Sequence, residues 1–150
     1  MKRIVCIGNR YLSADDVGAR VHDALVAGEL PEDTDVVDGG LGGLNLLPCF
    51  DDARCVVFVD AVSGFGEPGS MHEMDGARVA AWAGGALDHA AGLPYLLRMA
   101  PMACDGPMPP VMVLGVEVPA GKDAVAAAAR RALHLANALV DYEFCERGVA

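Results

Sequence analysis

The chain has 150 residues, 53 % of them hydrophobic, and 11 Lys and Arg against 21 Asp and Glu give a formal charge of −10. That length suits one domain able to bury roughly 70 % of its unfolded surface, and the apolar share excludes intrinsic disorder. With Lys2 and Lys122 as its only lysines, the chain lacks the clustered cations that neutralise nucleic-acid phosphates, so a small-molecule or protein partner is expected.

Arg3 to Ile7 reads as a short buried strand, stopped by Gly8-Asn9. The run is too short for the apolar region of a signal peptide, and no apolar stretch is long enough to span a bilayer; a cytoplasmic protein is expected. Asp15-Asp16 opens a helix on which Val17, Val21 and Leu25 recur at four-residue steps, with Gly28 as its expected stop. Thr34 to Val37 is a second strand, ended by Asp38-Gly39-Gly40, and Gly42-Gly43 leads by a tight turn into a short helix with Leu44, Leu46 and Leu47. Cys55 to Val59 is a third strand ending at Asp60. Its nearly continuous apolar character belongs to parallel sheets covered on both faces.

Pro68-Gly69 forms a turn, and Ser70 to Glu73 reads as a short edge strand. Ala77 to Ala83 is helical until Gly84-Gly85, and a further helix begins at Asp88 and carries Leu93, Leu96 and Leu97. Its Pro94 is tolerated only in a first turn. Met99 to Pro110, rich in Pro, Met and Gly, reads as a loop before the strand Val111 to Val116. Asp123 to about Glu146 is a long helix whose stripe is Val125, Ala129, Ala132, Leu133, Ala136, Leu139 and Val140. The alternation predicts a single α/β domain over residues 1–150, with a mostly parallel central sheet flanked by helices on both faces. Without heptads or long flat edge strands, a monomer is expected.

Sites in such sheets lie beyond the carboxyl ends of the strands. Asp15, Asp16, Asp38, Asp60 and Glu117 all fall there. A single strand-end Asp is most simply a cap or a turn residue, but several at one edge raise each other's pKa unless a cation joins them. A dinucleotide site fails, because Gly8 lacks further glycines at fingerprint spacing and Asp15-Asp16 would repel a pyrophosphate. None of Ser13, Ser63 and Ser70 stands in a nucleophile elbow. Cys6, Cys49, Cys55, Cys104 and Cys145 show no C-x-x-C spacing and read as free structural thiols. Of His22, His72, His89 and His134, His89 lies in a segment otherwise small and apolar. If Asp15, Asp60 and His89 converge, two carboxylates and one imidazole suit a borderline divalent ion such as Ni²⁺, Mn²⁺, Fe²⁺ or Zn²⁺.

Five blocks carry a family resemblance. They are Ile7-Gly8-Asn9 with Asp15-Asp16-Val17-Gly18; Asp38-Gly39-Gly40-Leu41-Gly42-Gly43 with Leu46-Leu47; Val59-Asp60-Ala61-Val62 with Gly64 and Pro68-Gly69; His89 with Gly92-Leu93 and Leu96; and Leu114-Gly115-Val116-Glu117-Val118-Pro119. In this order and spacing the chain resembles the hydrogenase maturation endopeptidases, which trim the large subunit of [NiFe] hydrogenases. The resemblance implies an aspartyl-type endopeptidase acting on a nickel-loaded large-subunit precursor. It would remove a short C-terminal extension so that the new terminus can fold inward. It implies that Asp15, Asp60 and His89 contact nickel carried by the substrate, with no organic cofactor. Asp15, Asp60 and Asp38 are the implied catalytic carboxylates, and Asp16 is a neighbour of the first.

Two positions depart from the family pattern. Leu41 stands where a Thr is common, and Leu87-Asp88 replaces a Ser-rich lead-in to the histidine. A metallopeptidase holding its own metal and a non-catalytic chaperone for the precursor are the alternatives the residues leave open.

Overall fold

The apolar run from Cys55 forms the central strand of a five-stranded sheet in a computed structural model, which describes residues 1–82 and 92–147. The strands are β1 (Lys2–Ile7), β2 (Thr34–Gly40), β3 (Cys55–Val62), β4 (Met71–Asp75) and β5 (Val111–Glu117). Their order is β2-β1-β3-β5-β4, and every pairing is parallel except the antiparallel contact of edge strand β4 with β5. Every residue of β3 is buried, which follows from cover on both faces.

The helices are α1 (Val17–Val26), α2 (Gly76–Ala80), α3 (Leu93–Ala103) and α4 (Lys122–Arg147), with a 3₁₀ segment over Gly43–Phe50. The alternation of side chains along the strands divides the core in two. On one face Ile4, Cys6, Val57, Val59, Leu114 and Val116 pack against α1 and α4. On the other, Val5, Val56, Phe58, Val62 and Val113 pack against the 3₁₀ segment, α2 and α3. Lys2 ties the start of β1 to α4 and to the turn before β2: its Nζ donates to Asn137 Oδ1 at 2.6 Å and pairs with Asp33 Oδ1 at 2.8 Å.

Glycine brings α1 onto the end of β1. A Cβ on Gly18 would stand 1.9 Å from the Ile7 carbonyl oxygen, so no larger residue fits that approach. Gly8, at φ 142°, turns the chain out of β1 where a Cβ would meet the Asp15 carbonyl at 2.3 Å.

Several elements differ from the sequence reading. Strands β2 and β3 continue through Gly40 and Val62, so Asp38 and Asp60 lie inside strands rather than just after them. The expected loop from Met99 is helical as far as Ala103, with Pro101 inside α3. Burial of Leu93, Leu96, Leu97 and Ala100 against the sheet outweighs the local penalty of a proline confined to the last turn. Helix α3 begins at Leu93, which puts Pro94 in its first turn. The expected start at Asp88 lies outside the described residues. Helix α2 ends at Ala80, short of the expected Ala83. On α4 the buried stripe is Val125, Ala128, Ala129, Ala132, Leu135 and Ala136, while Leu133, Leu139 and Val140 are only partly buried. Cys6, Cys49, Cys55 and Cys104 are free thiols. Among the described residues no helix is long and apolar enough to cross a membrane.

Candidate active site

The chain leaves β1 toward β2 on one side, and later returns to place β3 on the other side of β1. Connections on opposite sides open a crevice at the carboxyl ends of these two strands, where ligands bind in open α/β sheets. The loop after β1 carries Asp15, and β3 carries Asp60 near its end.

Asp60 shares a face with Phe58 and Val62, and only 1 % of its surface is exposed. Its Oδ1 accepts from the Ala61 amide at 2.8 Å. Its Oδ2 is buried and has no hydrogen-bond partner among the described residues. Burial pushes the carboxyl up from the ordinary 3.8 to about 8; the Ala61 amide opposes this, and the charge of Asp15 adds to it. A buried acceptor without a donor is unfavourable and uncommon in folded proteins, and such groups concentrate where function requires them. The arrangement suits a cation or a proton brought in by a ligand, either of which relieves the penalty.

Asp15 is held in its loop by local bonds. Its amide donates to Leu12 O at 2.8 Å, and its Oδ2 accepts from the Asn9 amide at 3.0 Å. Gly8 N donates to Gly40 O at 3.0 Å and so joins this loop to the end of β2. Asp15 is half-buried, near enough to Asp60 for its charge to help raise the Asp60 carboxyl. Asp16 is engaged elsewhere, with its Oδ1 3.7 Å from an Arg20 guanidinium nitrogen one helical turn on.

Asp38 is not brought to this pair. It is in register with Cys6, whose side chain packs on the α1 face, opposite to the face of Asp60. Arg10 holds it there: one guanidinium nitrogen donates to Asp38 Oδ2 at 2.9 Å, and the same group makes a two-pronged pair with Asp23 at 2.7 and 3.1 Å. The pairing holds the Asp23 carboxyl down at about 2.

His89 lies outside the described residues. Of the other histidines, His72 is paired locally, with Nε2 3.0 Å from Ser70 Oγ. Ser70 Oγ in turn donates to Glu67 O at 2.6 Å, so its proton is already engaged and Ser70 is not poised as a nucleophile. Thiol chemistry is equally poor: burial pushes Cys6 up to about 12 and also raises Cys49 and Cys55. Among the described residues no three His, Cys, Asp or Glu side chains gather closely enough to hold a metal ion.

Two further residues lie at the ends of strands. Glu117 closes β5 and is buried with both oxygens occupied by amides of the loop after β3. The visible signal was a carboxylate ending an otherwise apolar strand, but its partners are 53 and 52 residues away. Leu41, just after β2, is 70 % exposed and has no role in the core.

Residues 19–138 match the family model described as hydrogenase maturation protease, HycI. Among solved structures, the hydrogenase maturating endopeptidase HybD from E. coli is 22 % identical, with TM-score 0.69 and coverage of 94 % of this chain and 92 % of that one. An endopeptidase from Escherichia coli solved in solution is 25 % identical, with TM-score 0.68 and coverage of 94 % and 93 %. The hydrogenase 2 maturation peptidase of a Thaumarchaeota archaeon is 26 % identical, with TM-score 0.56 and coverage of 99 % and 98 %. No curated protein matches the chain significantly by sequence. The α/β topology and the matched span agree: this chain belongs to the hydrogenase maturation protease family.

Proposed function

We propose that this chain removes the C-terminal extension of a nickel-loaded [NiFe]-hydrogenase large-subunit precursor, contacting the substrate's nickel through Asp15, Asp60 and His89. The observation that carries the reading is the buried Oδ2 of Asp60, without a hydrogen-bond partner among the described residues and near Asp15. Two carboxylates and an imidazole offer oxygen and nitrogen donors to a borderline cation already held by substrate cysteines. Without such a cation, Asp60 near neutral pH is mostly protonated. Arrival of the cation displaces that proton, so productive binding is coupled to the metal. A precursor lacking nickel would leave the penalty at Asp60 in place, which makes metal insertion a condition for cutting.

For the cut, one carboxylate orients or deprotonates a water, and the charge of the assembled site polarises the peptide carbonyl. Asp38 serves in this reading as a tether for Arg10 rather than as an acid or base. The protein works as a single domain over residues 1–150 and as a monomer.

The test is the intact mass of a cognate precursor, nickel-loaded and nickel-free, before and after incubation with the protein. Loss of a C-terminal peptide from the nickel-loaded form alone is expected. Cutting of both forms would remove the metal from recognition. No cutting of either would leave a chaperone that binds without hydrolysis.

A further inference from the structure

A further carboxylate reaches the same sheet edge from β5. The Glu117 side chain is 5 % exposed. Its Oε1 accepts from the Gly64 amide at 2.6 Å and its Oε2 from the Phe65 amide at 3.1 Å. His72 Nε2 stands 3.8 Å from Oε2. The backbone repeats the tie at the far end of the loop: Gly69 N donates to Glu117 O at 2.8 Å, and Glu117 N to Ser70 O at 2.9 Å. One residue thus holds loop 63–70 at both ends. That loop is the direct continuation of β3, the strand that carries Asp60. Beyond the clamp, the Phe65 ring lies 5.5 Å from His72 and 5.6 Å, edge-on, from Trp82.

We infer that Glu117 is a positioning residue for substrate binding, fixing loop 63–66 and the Phe65–Trp82 pair as one wall of the crevice at Asp60. The substrate role rests on the protease reading above; the clamp itself rests on the geometry. With both oxygens occupied by amides, Glu117 is not placed to activate water, so its contribution is to binding rather than to the chemical step. A carboxylate suits the task because bonds from amides to a charged acceptor are about twice as strong as neutral ones. A loop fixed beforehand spares the substrate the entropy of ordering it.

Trp82 is the sole tryptophan, so its emission reports the wall without any substrate. The experiment compares Glu117→Ala, Glu117→Gln and Phe65→Leu with the unchanged chain. It uses far-UV circular dichroism for folding, Trp82 emission, and steady-state cutting of a nickel-loaded cognate precursor. Glu117→Ala is expected to red-shift Trp82 and raise KM about tenfold, the size of one charged hydrogen bond, with kcat held within about threefold. Gln keeps one good acceptor and should fall between the two. Phe65→Leu retains both amide bonds and should raise KM similarly. Combining it with Glu117→Ala should add little, because both act through one wall. It also decides the matter should Glu117→Ala fail to fold.

An unshifted emission in folded Glu117→Ala overturns the clamp, and so does a fall in kcat at unchanged KM. An unchanged KM in Phe65→Leu removes the wall from substrate binding. An unchanged chain that leaves the precursor intact instead overturns the protease reading, and with it the substrate role. The emission result still decides the clamp.

Discussion

Replacing Asp60 by Asn should separate stability from function and reveal the buried charge directly. In the folded chain the carboxyl is neutral up to about pH 8, whereas in the unfolded chain it ionises near 3.8. The folded state therefore binds the extra proton between these values, and stability falls as pH rises from about 4 to about 8. Each tenfold displacement of a proton equilibrium is worth about 1.4 kcal/mol, so the ionisable side chain costs the fold up to about 4 kcal/mol at pH 7. Below pH 4 this cost is absent. An Asn side chain has nearly the same shape and no charge, and it likewise leaves one polar atom unpartnered. The two proteins should be close in stability at pH 4 and diverge steadily above it, with the Asn variant ahead. Urea denaturation at steps from pH 4 to 9 measures the difference. A constant gap across that range would show that Asp60 is not held protonated by the fold, and the argument from its burial would fail. The same substitution should abolish cutting of the nickel-loaded precursor, so the variant should be both more stable at neutral pH and inactive.

The remaining predictions are more local. Gly18→Ala drives a methyl group into the Ile7 carbonyl and should destabilise by about 3 kcal/mol or more, read as a drop of roughly 6–12 °C in Tm. An unchanged Tm would mean that α1 can move off β1 freely. Asp15→Asn should reduce cutting severely, while Asp38→Asn, already engaged by Arg10, should change the rate by no more than roughly threefold at ordinary ionic strength. Equal loss in both would return Asp38 to the chemistry. Leu41→Thr lies on the surface at 70 % exposure and should alter stability by less than about 0.5 kcal/mol in thermal unfolding. The purified protein should carry no stoichiometric nickel by elemental analysis. A full equivalent would favour a self-contained metal site.

Much of the site's frame was legible because it depends on local pattern. The apolar run from Cys55 could only be a strand covered on both faces, so the Asp that follows it had to fall near a strand's carboxyl end. Val17, Val21 and Leu25 at helical spacing marked a helix opening at Asp15-Asp16, but it begins at Val17, with Asp16 as its N-cap and Asp15 in the loop before it. The end of α3 was misread for the converse reason. Pro101 and the surrounding methionines signal a loop locally, and only the burial of Leu96, Leu97 and Ala100 under the sheet keeps the helix going. Asp38 looked equivalent to Asp60 along the chain. The two differ because side chains alternate between faces, and register with Cys6 turns Asp38 toward α1 and Arg10.

The amino-acid sequence by itself determined the α/β alternation, the parallel character of the central strands, the carboxylates at their ends and, through its spaced blocks, the family. These depend on periodicity and on residues close together in the chain, where each local preference acts independently of the rest. Tertiary structure decided which of those carboxylates meet. It put β1 and β3 side by side at the crevice, left Asp60 Oδ2 buried without a donor among the described residues, turned Asp38 away, and set Glu117 against amides more than fifty residues earlier. Strand order and register arise from the packing of two whole core layers, and no single segment carries that information.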